Sequence, residues 1–200
     1  MTHDDRSIER HHCVERQLAQ RDITDERVLD AMRTVPRHRF VSSDLAAFAY
    51  DDRPLPIGHD ATISQPYIVA LMAQALAIRP SDRVLEVGAG SGYAAAVMAE
   101  LAAEVIAVEC VEPLCELAAR HLESYRERVQ VVCADGSLGY PPGAPYDAIS
   151  VAAAAPKIPL RSNSRRPRAA IGTYSTKTRI SETRAAWIGR FIALKVAVIS

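Results

Sequence analysis

The sequence predicts an α/β fold in which a mostly parallel sheet carries helices on both faces. Short apolar runs ("RVLEV", "EVIAVE", "VQVVCA" and "YDAISVAA") alternate with helical stretches between residues 83 and 153. Such alternation is typical of βαβ units, whose strands are parallel. A glycine-rich segment, "EVGAGSG", ends the first of these strands and precedes the helical "YAAAVMAELA". A ligand-binding loop of an α/β sheet occupies this position.

The totals predict one soluble globular domain. The chain has 200 residues, of which 48% are apolar and 24% are charged, and its net charge is zero. No apolar run approaches the roughly 18–20 residues that cross a membrane. The N-terminal segment lacks the apolar stretch of a signal peptide. We therefore expect a cytoplasmic protein without membrane contact.

The four cysteines, Cys13, Cys110, Cys115 and Cys133, form no CxxC pair and have no zinc-site spacing. In the cytosol we expect them to be free thiols. His11 and His12 precede Cys13, but neighbouring helix residues point in different directions and nothing downstream completes a ligand set. No metal site is expected.

The chain before the glycine segment predicts helices over residues 7–20 and 24–34, with Thr24 as the N-cap of the second. The segment "DDRPLPIGHDAT" is rich in turn residues and predicts a loop. A helix is expected from Pro66 to Ala77. A later helix is expected in "PLCELAARHLESYR".

Gly88, Gly90 and Gly92 indicate that a ligand closely approaches the backbone, with free N–H groups pointing at it. The dinucleotide fingerprint requires its third glycine one place later, where this chain has Tyr93. Glu86 precedes the loop, and a carboxylate there repels a pyrophosphate but suits a cationic ligand.

Two further acids follow the next strands. Glu109 ends the second strand, where a carboxylate accepts hydrogen bonds from ribose hydroxyls. Asp135 and Gly136 follow the third, where a carboxylate accepts from the adenine amino group. S-adenosylmethionine carries a sulfonium and an ammonium and no phosphate, so these acids predict it as cofactor. The alternative is a structural glycine turn with surface acids.

Six segments carry a family resemblance: "VPRHRFV", "AYDDRPLPIG", "TISQPYIVA", "VLEVGAGSGY", "ADGSLGYPPGAPYDAI" and "VAAAAPKIP". Together, over about residues 8–160, they resemble the protein-L-isoaspartate (D-aspartate) O-methyltransferases. The resemblance implies a Rossmann-like class I methyltransferase fold. It also implies protein repair, in which the free α-carboxylate of an isoaspartyl residue in a damaged protein is methylated with S-adenosylmethionine as donor.

The most specific of these segments is "TISQP", residues 62–66. The resemblance implies that Ser64 belongs to the active site and that Thr62, Ile63, Gln65 and Pro66 bind the substrate. An acceptor carboxylate is already ionised at neutral pH, so the site needs to orient it and needs no general base. The alternative role for Ser64 is the N-cap of the following helix.

The chain departs from the family pattern mildly at Ala61 and Ala134 and strongly after residue 160. Residues 161–200 hold nine basic residues and one acid, Glu182, without helical or strand periodicity. Only "WIGRFIALKVAVIS" is apolar enough to pack, as a strand or a helix. A frameshift or a replaced C-terminus would explain this composition. We expect the closing strands to be missing or replaced, the tail to be mobile and the activity to be impaired.

These expectations divide the chain into a methyltransferase domain, 1–160, and an atypical basic tail, 161–200. Within the domain, 1–60 forms a helical cap and substrate loop and 61–160 the Rossmann-like core. The expected partners are isoaspartyl proteins and peptides, bound by a monomer. Two alternatives are a methyltransferase with another acceptor and a non-catalytic binder whose basic tail grips nucleic acid. The tail has few aromatic residues to stack on bases, which disfavours nucleic acid.

Overall fold

The structure, a computed structural model, describes residues 6–152, 169–174 and 190–195. Its helices are α1 (Ser7–Cys13, continued by a π-helical stretch, Val14–Ala19), α2 (Glu26–Thr34), α3 (Pro66–Leu76), α4 (Tyr93–Ala99) and α5 (Glu112–His121). Its strands are β1 (Leu55–Gly58), β2 (Ala61–Ile63), β3 (Arg83–Val87), β4 (Glu104–Glu109), β5 (Val129–Cys133), β6 (Ala148–Val151), β7 (Ala169–Tyr174) and β8 (Arg190–Lys195). None of the described helices is both long and apolar enough to span a bilayer.

The central sheet has six strands in the order β5-β4-β3-β6-β7-β8, and all its pairings are parallel. The predicted α/β class and the four strands between residues 83 and 151 are confirmed. The chain runs outward from β3 to β5, then returns to the centre at β6 and runs outward the other way. This reversal leaves a crevice at the carboxyl ends of β3 and β6, where ligands of such sheets bind.

Alternate residues of the central strands face two separate cores. Val84 and Val105 belong to the larger core, into which helices α2 to α5 bury their apolar residues. Leu85 and Ile106 face the other side and pack with Tyr146. The sequence also predicted helices on this second face. That prediction falls on residues outside the described part of the chain.

Helix α2 begins one residue later than expected. The carboxylate of Asp25 accepts a hydrogen bond from the N–H of Arg27 at 3.0 Å, so Asp25 is the N-cap. The N–H of Thr24 instead donates to the side-chain oxygen of Gln74 at 2.7 Å, which ties the start of α2 to α3. The predicted cap at Thr24 is wrong because the side chain of Asp25, one residue later, provides the cap.

The predicted loop before α3 contains a hairpin. Strands β1 and β2 pair antiparallel, and Gly58, His59 and Asp60 at the turn all have positive φ angles, 89°, 52° and 56°. Two consecutive left-handed residues at the tip suit a tight hairpin turn, and Asp is among the residues that tolerate this conformation. The hairpin delivers the "TISQP" segment to the edge of the sheet.

Two further strands follow β6, so of the two expectations for the closing strands, missing or replaced, the first does not hold for the described residues. Strand β7 lies beside β6, and β8 lies beside β7 as an edge strand. Residue 171 is buried and belongs to the larger core. Of the two open assignments for "WIGRFIALKVAVIS", the strand is correct for its described part, Arg190–Lys195. A replaced C-terminus is compatible with these strands, whereas the expected mobility of the tail concerns residues outside the described ranges.

The cysteines differ from expectation, because Cys115 and Cys133 form a disulfide. Helix α5 packs against β5, and this packing brings the two Cα atoms to 5.7 Å, within the usual span of a disulfide. Cys13 and Cys110 are free thiols, as expected.

Candidate active site

A cleft opens at the carboxyl ends of β3 and β6. Its wall combines the end of the hairpin with the glycine loop, which lie about 25 residues apart in the sequence. The lining residues are Thr62, Ile63, Ser64, Val69, Glu86, Gly88, Ala89, Gly90, Ser91, Tyr93, Ala94 and Ala152. The structure therefore brings together two segments that sequence reasoning assigned to acceptor and cofactor.

The glycine loop adopts the left-handed conformation at all three expected glycines. The φ angles of Gly88, Gly90 and Gly92 are 90°, 55° and 87°. Several N–H groups of the loop are used within the protein. Those of Gly88 and Ala89 both donate to the carbonyl oxygen of Val108, at 2.8 and 3.1 Å, and that of Gly92 donates to Ala89 at 2.8 Å. These hydrogen bonds hold the tight turn, and the expectation that N–H groups of the loop point at a ligand stays a prediction.

Gly136, expected to bind the cofactor, has a packing reason to be glycine. A Cβ atom there would lie 2.7 Å from Cγ1 of Val87 and 3.3 Å from Cγ1 of Val108. Val87 is the last residue of β3 and Val108 the penultimate residue of β4, so the loop after β5 must pass directly over them. Gly136 does not line the cleft described above.

Glu86 lies at the floor of the cleft with 0% of its surface exposed. Neither carboxylate oxygen has a hydrogen-bond partner among the described residues. Burial, and secondarily the charge of Glu109, raises the pKa of Glu86 well above its usual range. A buried carboxylate without a donor is unfavourable. A cationic or hydrogen-bond-donating ligand group would satisfy it.

Glu109, at the end of β4, is 6% exposed and is held by the backbone. Its Oε1 accepts from the N–H groups of Cys110 and Val111 at 2.9 and 3.0 Å, and its Oε2 accepts from Gly90 at 2.8 Å. Three donors fix the carboxylate beside the glycine loop. Its second oxygen keeps one lone pair for a further donor.

Asp135 is exposed after β5, and its Oδ1 accepts from the N–H of Ser137 at 2.8 Å. This hydrogen bond, with a second from the Ser137 side chain, lowers the pKa of Asp135 below its usual range. Neither Asp135 nor Glu109 lines the cleft itself. Their assigned contacts to adenine and ribose stay predictions.

The acceptor segment ends at the start of α3. The N-cap of α3 is Gln65, without a side-chain cap, and Pro66 is the first helical residue. Ser64 thus lies before the cap position, and the alternative that it is the helix N-cap is wrong. Thr62, Ile63 and Ser64 line the cleft, whereas Gln65 and Pro66 do not.

Two residues received no role from the sequence: Tyr93, which lines the cleft, and Arg37, which lies behind it. Arg37 is 1% exposed, and its Nη2 donates to the carbonyl oxygen of Ser64 at 3.0 Å. Its guanidinium carbon lies 5.8 Å from the ring centroid of Tyr93, which lines the cleft. The sequence signal was the arginine of "VPRHRFV", a segment that contributed to the resemblance without receiving a role.

Comparison with known proteins decides the family. The family model for protein-L-isoaspartate (D-aspartate) O-methyltransferase matches residues 8–162. The chain belongs to this family. The protein-L-isoaspartate O-methyltransferase of Opitutus terrae is 59% identical over 155 residues, which cover 77% of this chain and 66% of the relative. The same-named protein of Methanoculleus marisnigri is 56% identical, covering 76% of this chain and 69% of the relative.

Solved structures of the family share the fold. One protein-L-isoaspartate O-methyltransferase aligns with a TM-score of 0.68 at 32% identity, covering 76% of this chain and 50% of that one. A putative Plasmodium falciparum member in complex with S-adenosyl-L-homocysteine aligns with a TM-score of 0.61 at 26% identity, covering 75% and 76%. The fold is thus that of the class I methyltransferases. The chain matches only about two thirds of the length of its curated relatives and half of the first solved structure.

Proposed function

We propose that the chain transfers a methyl group from S-adenosylmethionine to the free α-carboxylate of L-isoaspartyl, and also D-aspartyl, residues in damaged proteins. The observation that carries this proposal is the cleft, in which the "TISQP" segment faces the glycine loop. Family membership over residues 8–162 supports the same activity.

The carboxylates in and near the cleft fit this cofactor. Glu86 offers two buried oxygens without donors, and its position at the end of β3 suits the ammonium of the methionine moiety. Glu109 retains acceptor capacity for a ribose hydroxyl, and Asp135 is exposed for the adenine amino group. When bound, S-adenosylmethionine supplies an activated methyl on a sulfonium, which needs no metal and no covalent intermediate.

The acceptor side needs orientation more than proton transfer. The α-carboxylate of the substrate is ionised at neutral pH, so its oxygen is already a nucleophile. We assign to the hydroxyl of Ser64, a half-buried residue that lines the cleft, the role of donating to one carboxylate oxygen and leaving the other free to attack. Fixing the two reactants in line accounts for much of the rate enhancement of such displacements.

The proposal is tested by assaying methyl ester formation on an isoaspartyl peptide and on its aspartyl twin, using the full chain. We expect methyl esters on the isoaspartyl peptide alone. Equal labelling of both peptides would indicate another acceptor class, the first alternative. Cofactor binding without labelling of either peptide would exclude a repair activity for this chain.

Several finer predictions accompany the proposal. We place the reaction in the cytoplasm, on isoaspartyl proteins bound by a monomer and without nucleic acid. The impaired activity expected from the altered C-terminus also stays a prediction, and the same assay measures it. Salt-dependent binding of DNA or RNA that depends on residues 161–200 would favour the nucleic-acid alternative instead.

A further inference from the structure

Arg37 is a buried cation at the back of the acceptor segment. Its guanidinium donates to three main-chain carbonyl oxygens: to Ala49 through Nη1, and to Ser64 and Arg53 through Nη2 at 3.0 and 3.3 Å. Its Nε has no hydrogen-bond partner in the part of the chain that the structure describes. Three chain segments therefore meet on one side chain, and one of them carries Ser64.

No carboxylate among the described residues forms an ion pair with Arg37. Burial lowers the pKa of Arg37. Its electrostatic interactions with neighbouring groups, the Asp51 carboxylate among them, raise the pKa by less. An arginine keeps its charge even so. A buried charge without a counter-ion is strongly unfavourable. Carbonyl dipoles, with a smaller contribution from the charge of Asp51, offset it here, so an anion bound nearby would be stabilised.

The cleft lies directly beyond the groups that Arg37 contacts. Ser64 and Tyr93 both line it, and Arg37 hydrogen-bonds the first and lies 5.8 Å from the ring of the second. The guanidinium is thus separated from the acceptor side of the cleft by the Ser64 backbone. At that range in a poorly solvated interior, its attraction for an anion is weakly screened.

We propose that Arg37 is the positioning residue of the acceptor site: it fixes Ser64 through its main-chain carbonyl and supplies the positive potential that favours the substrate carboxylate. This inference rests on the proposed function, because it assumes that the acceptor is a carboxylate. Arg37 touches neither reactant and acts through Ser64.

The test compares two ligands that differ only in charge, an isoaspartyl peptide and the same peptide with its isoaspartyl α-carboxyl amidated. Dissociation constants are measured for the full chain, for Arg37→Met and for Arg39→Met. Arg39 lies on the same short 3-10 turn, Arg37–Phe40, but is exposed, so Arg39→Met is the matched control. The affinity for S-adenosylhomocysteine reports whether the cofactor side is intact.

We expect the unsubstituted chain and Arg39→Met to prefer the charged peptide, and Arg37→Met to lose about tenfold or more of that preference. The affinity for S-adenosylhomocysteine should stay within about twofold. A purely structural Arg37 would instead weaken both peptides equally and leave the preference intact, which would overturn the inference. Failure of the unsubstituted chain to bind either peptide would remove the proposed function itself.

Arg37→Lys decides the matter if Arg37→Met does not fold. Lysine keeps the charge but cannot make the forked contacts to three carbonyls. We expect its preference for the charged peptide to persist while kcat falls, because Ser64 is less well fixed. A lysine variant that loses the preference would contradict the role of the charge. An unchanged kcat would contradict the role of the fork.

Discussion

The two walls of the cleft are built in opposite ways. The cofactor wall holds a buried acid, Glu86, whose oxygens have no donor among the described residues, and the acceptor wall is backed by a buried base, Arg37, without a carboxylate partner there. The proposed ligands carry the reverse charges, a cationic cofactor and an anionic acceptor. The proposal therefore assigns the recognition of each ligand to one of these two buried groups.

The ionised form of either group makes the ligand-free protein less stable than a neutral group would. Burying an ion without a partner costs several kcal/mol even after relaxation. A neutral substitution at either residue should therefore affect ligand binding at one wall only, because it removes one charge and leaves the other. The predictions below follow from that separation, ordered by the size of the expected effect.

Glu86→Gln should cause the largest change, on the cofactor wall alone. Losing a buried charge partner costs about 2–5 kcal/mol, roughly thirtyfold or more in the dissociation constant for S-adenosylmethionine. Calorimetry measures the loss. Asp82→Asn, at a buried acid before β3 outside the cleft, provides the control, and an unchanged affinity in Glu86→Gln would break the comparison.

Ser64→Ala should reduce turnover on the acceptor wall and spare the cofactor. A hydrogen bond to a charged group contributes about 1.5–3 kcal/mol, roughly ten- to a hundredfold in rate. Steady-state kinetics with an isoaspartyl peptide, together with the affinity for S-adenosylhomocysteine, measures both effects. Since Ser64 is not a helix cap, the thermal midpoint should hardly move. A lowered thermal midpoint with normal turnover would contradict the assignment of Ser64 to the acceptor wall.

Gly92→Ala should destabilise the cofactor wall more than Gly90→Ala does. Both glycines have positive φ angles, but the new Cβ at position 92 would lie 2.8 Å from Leu122, whereas at position 90 it would lie 3.3 Å from Ile57. We expect the Gly92 variant to lose about 1–3 kcal/mol more in unfolding free energy. Urea denaturation of both variants tests this, and equal losses would show that backbone strain alone matters.

The smallest effect expected is a pH dependence that comes from Glu86. Because its folded-state pKa is raised, the folded chain holds this proton more tightly than the unfolded chain. The resulting stability is fully present below about pH 4.3, the usual glutamate pKa, and is lost as the pH rises through the folded-state value. The thermal midpoint of Glu86→Gln should therefore gain on the unsubstituted chain as the pH rises. A constant difference would contradict the shift.

The sequence was informative where one residue type at one spacing has one physical meaning. Apolar runs alternating with helices predicted β3 to β6, and the glycines predicted the left-handed turn between β3 and α4. The convergence of Ser64 with the glycine loop followed from the family resemblance. Gly136 was placed correctly after β5, but its reason is contact with Val87.

The remainder depends on contacts that no local pattern encodes. The burial of Arg37 needs segments around Ala49, Arg53 and Ser64 to close around it, and an arginine in a polar motif predicts exposure. The hydrogen bond from the N–H of Thr24 to the side chain of Gln74 is also a long-range contact, because the two residues are fifty positions apart in the sequence. Strand β7 was missed because "AAIGTY" lacks the alternation of a strand and lies among basic residues, whereas the segment of β8 was left open between a strand and a helix.

The assignment of one ligand to each buried group is tested by the dissociation constants of S-adenosylhomocysteine and of an isoaspartyl peptide. Each is measured for the unsubstituted chain, for Glu86→Gln and for Arg37→Met. The opposite-charge arrangement predicts a crossed result. Glu86→Gln should weaken the cofactor product by thirtyfold or more, within the range of about 2–5 kcal/mol, and spare the peptide. Arg37→Met should weaken the peptide and spare the cofactor product. If both variants weaken both ligands to the same extent, the two walls do not carry separate recognition and the account is wrong.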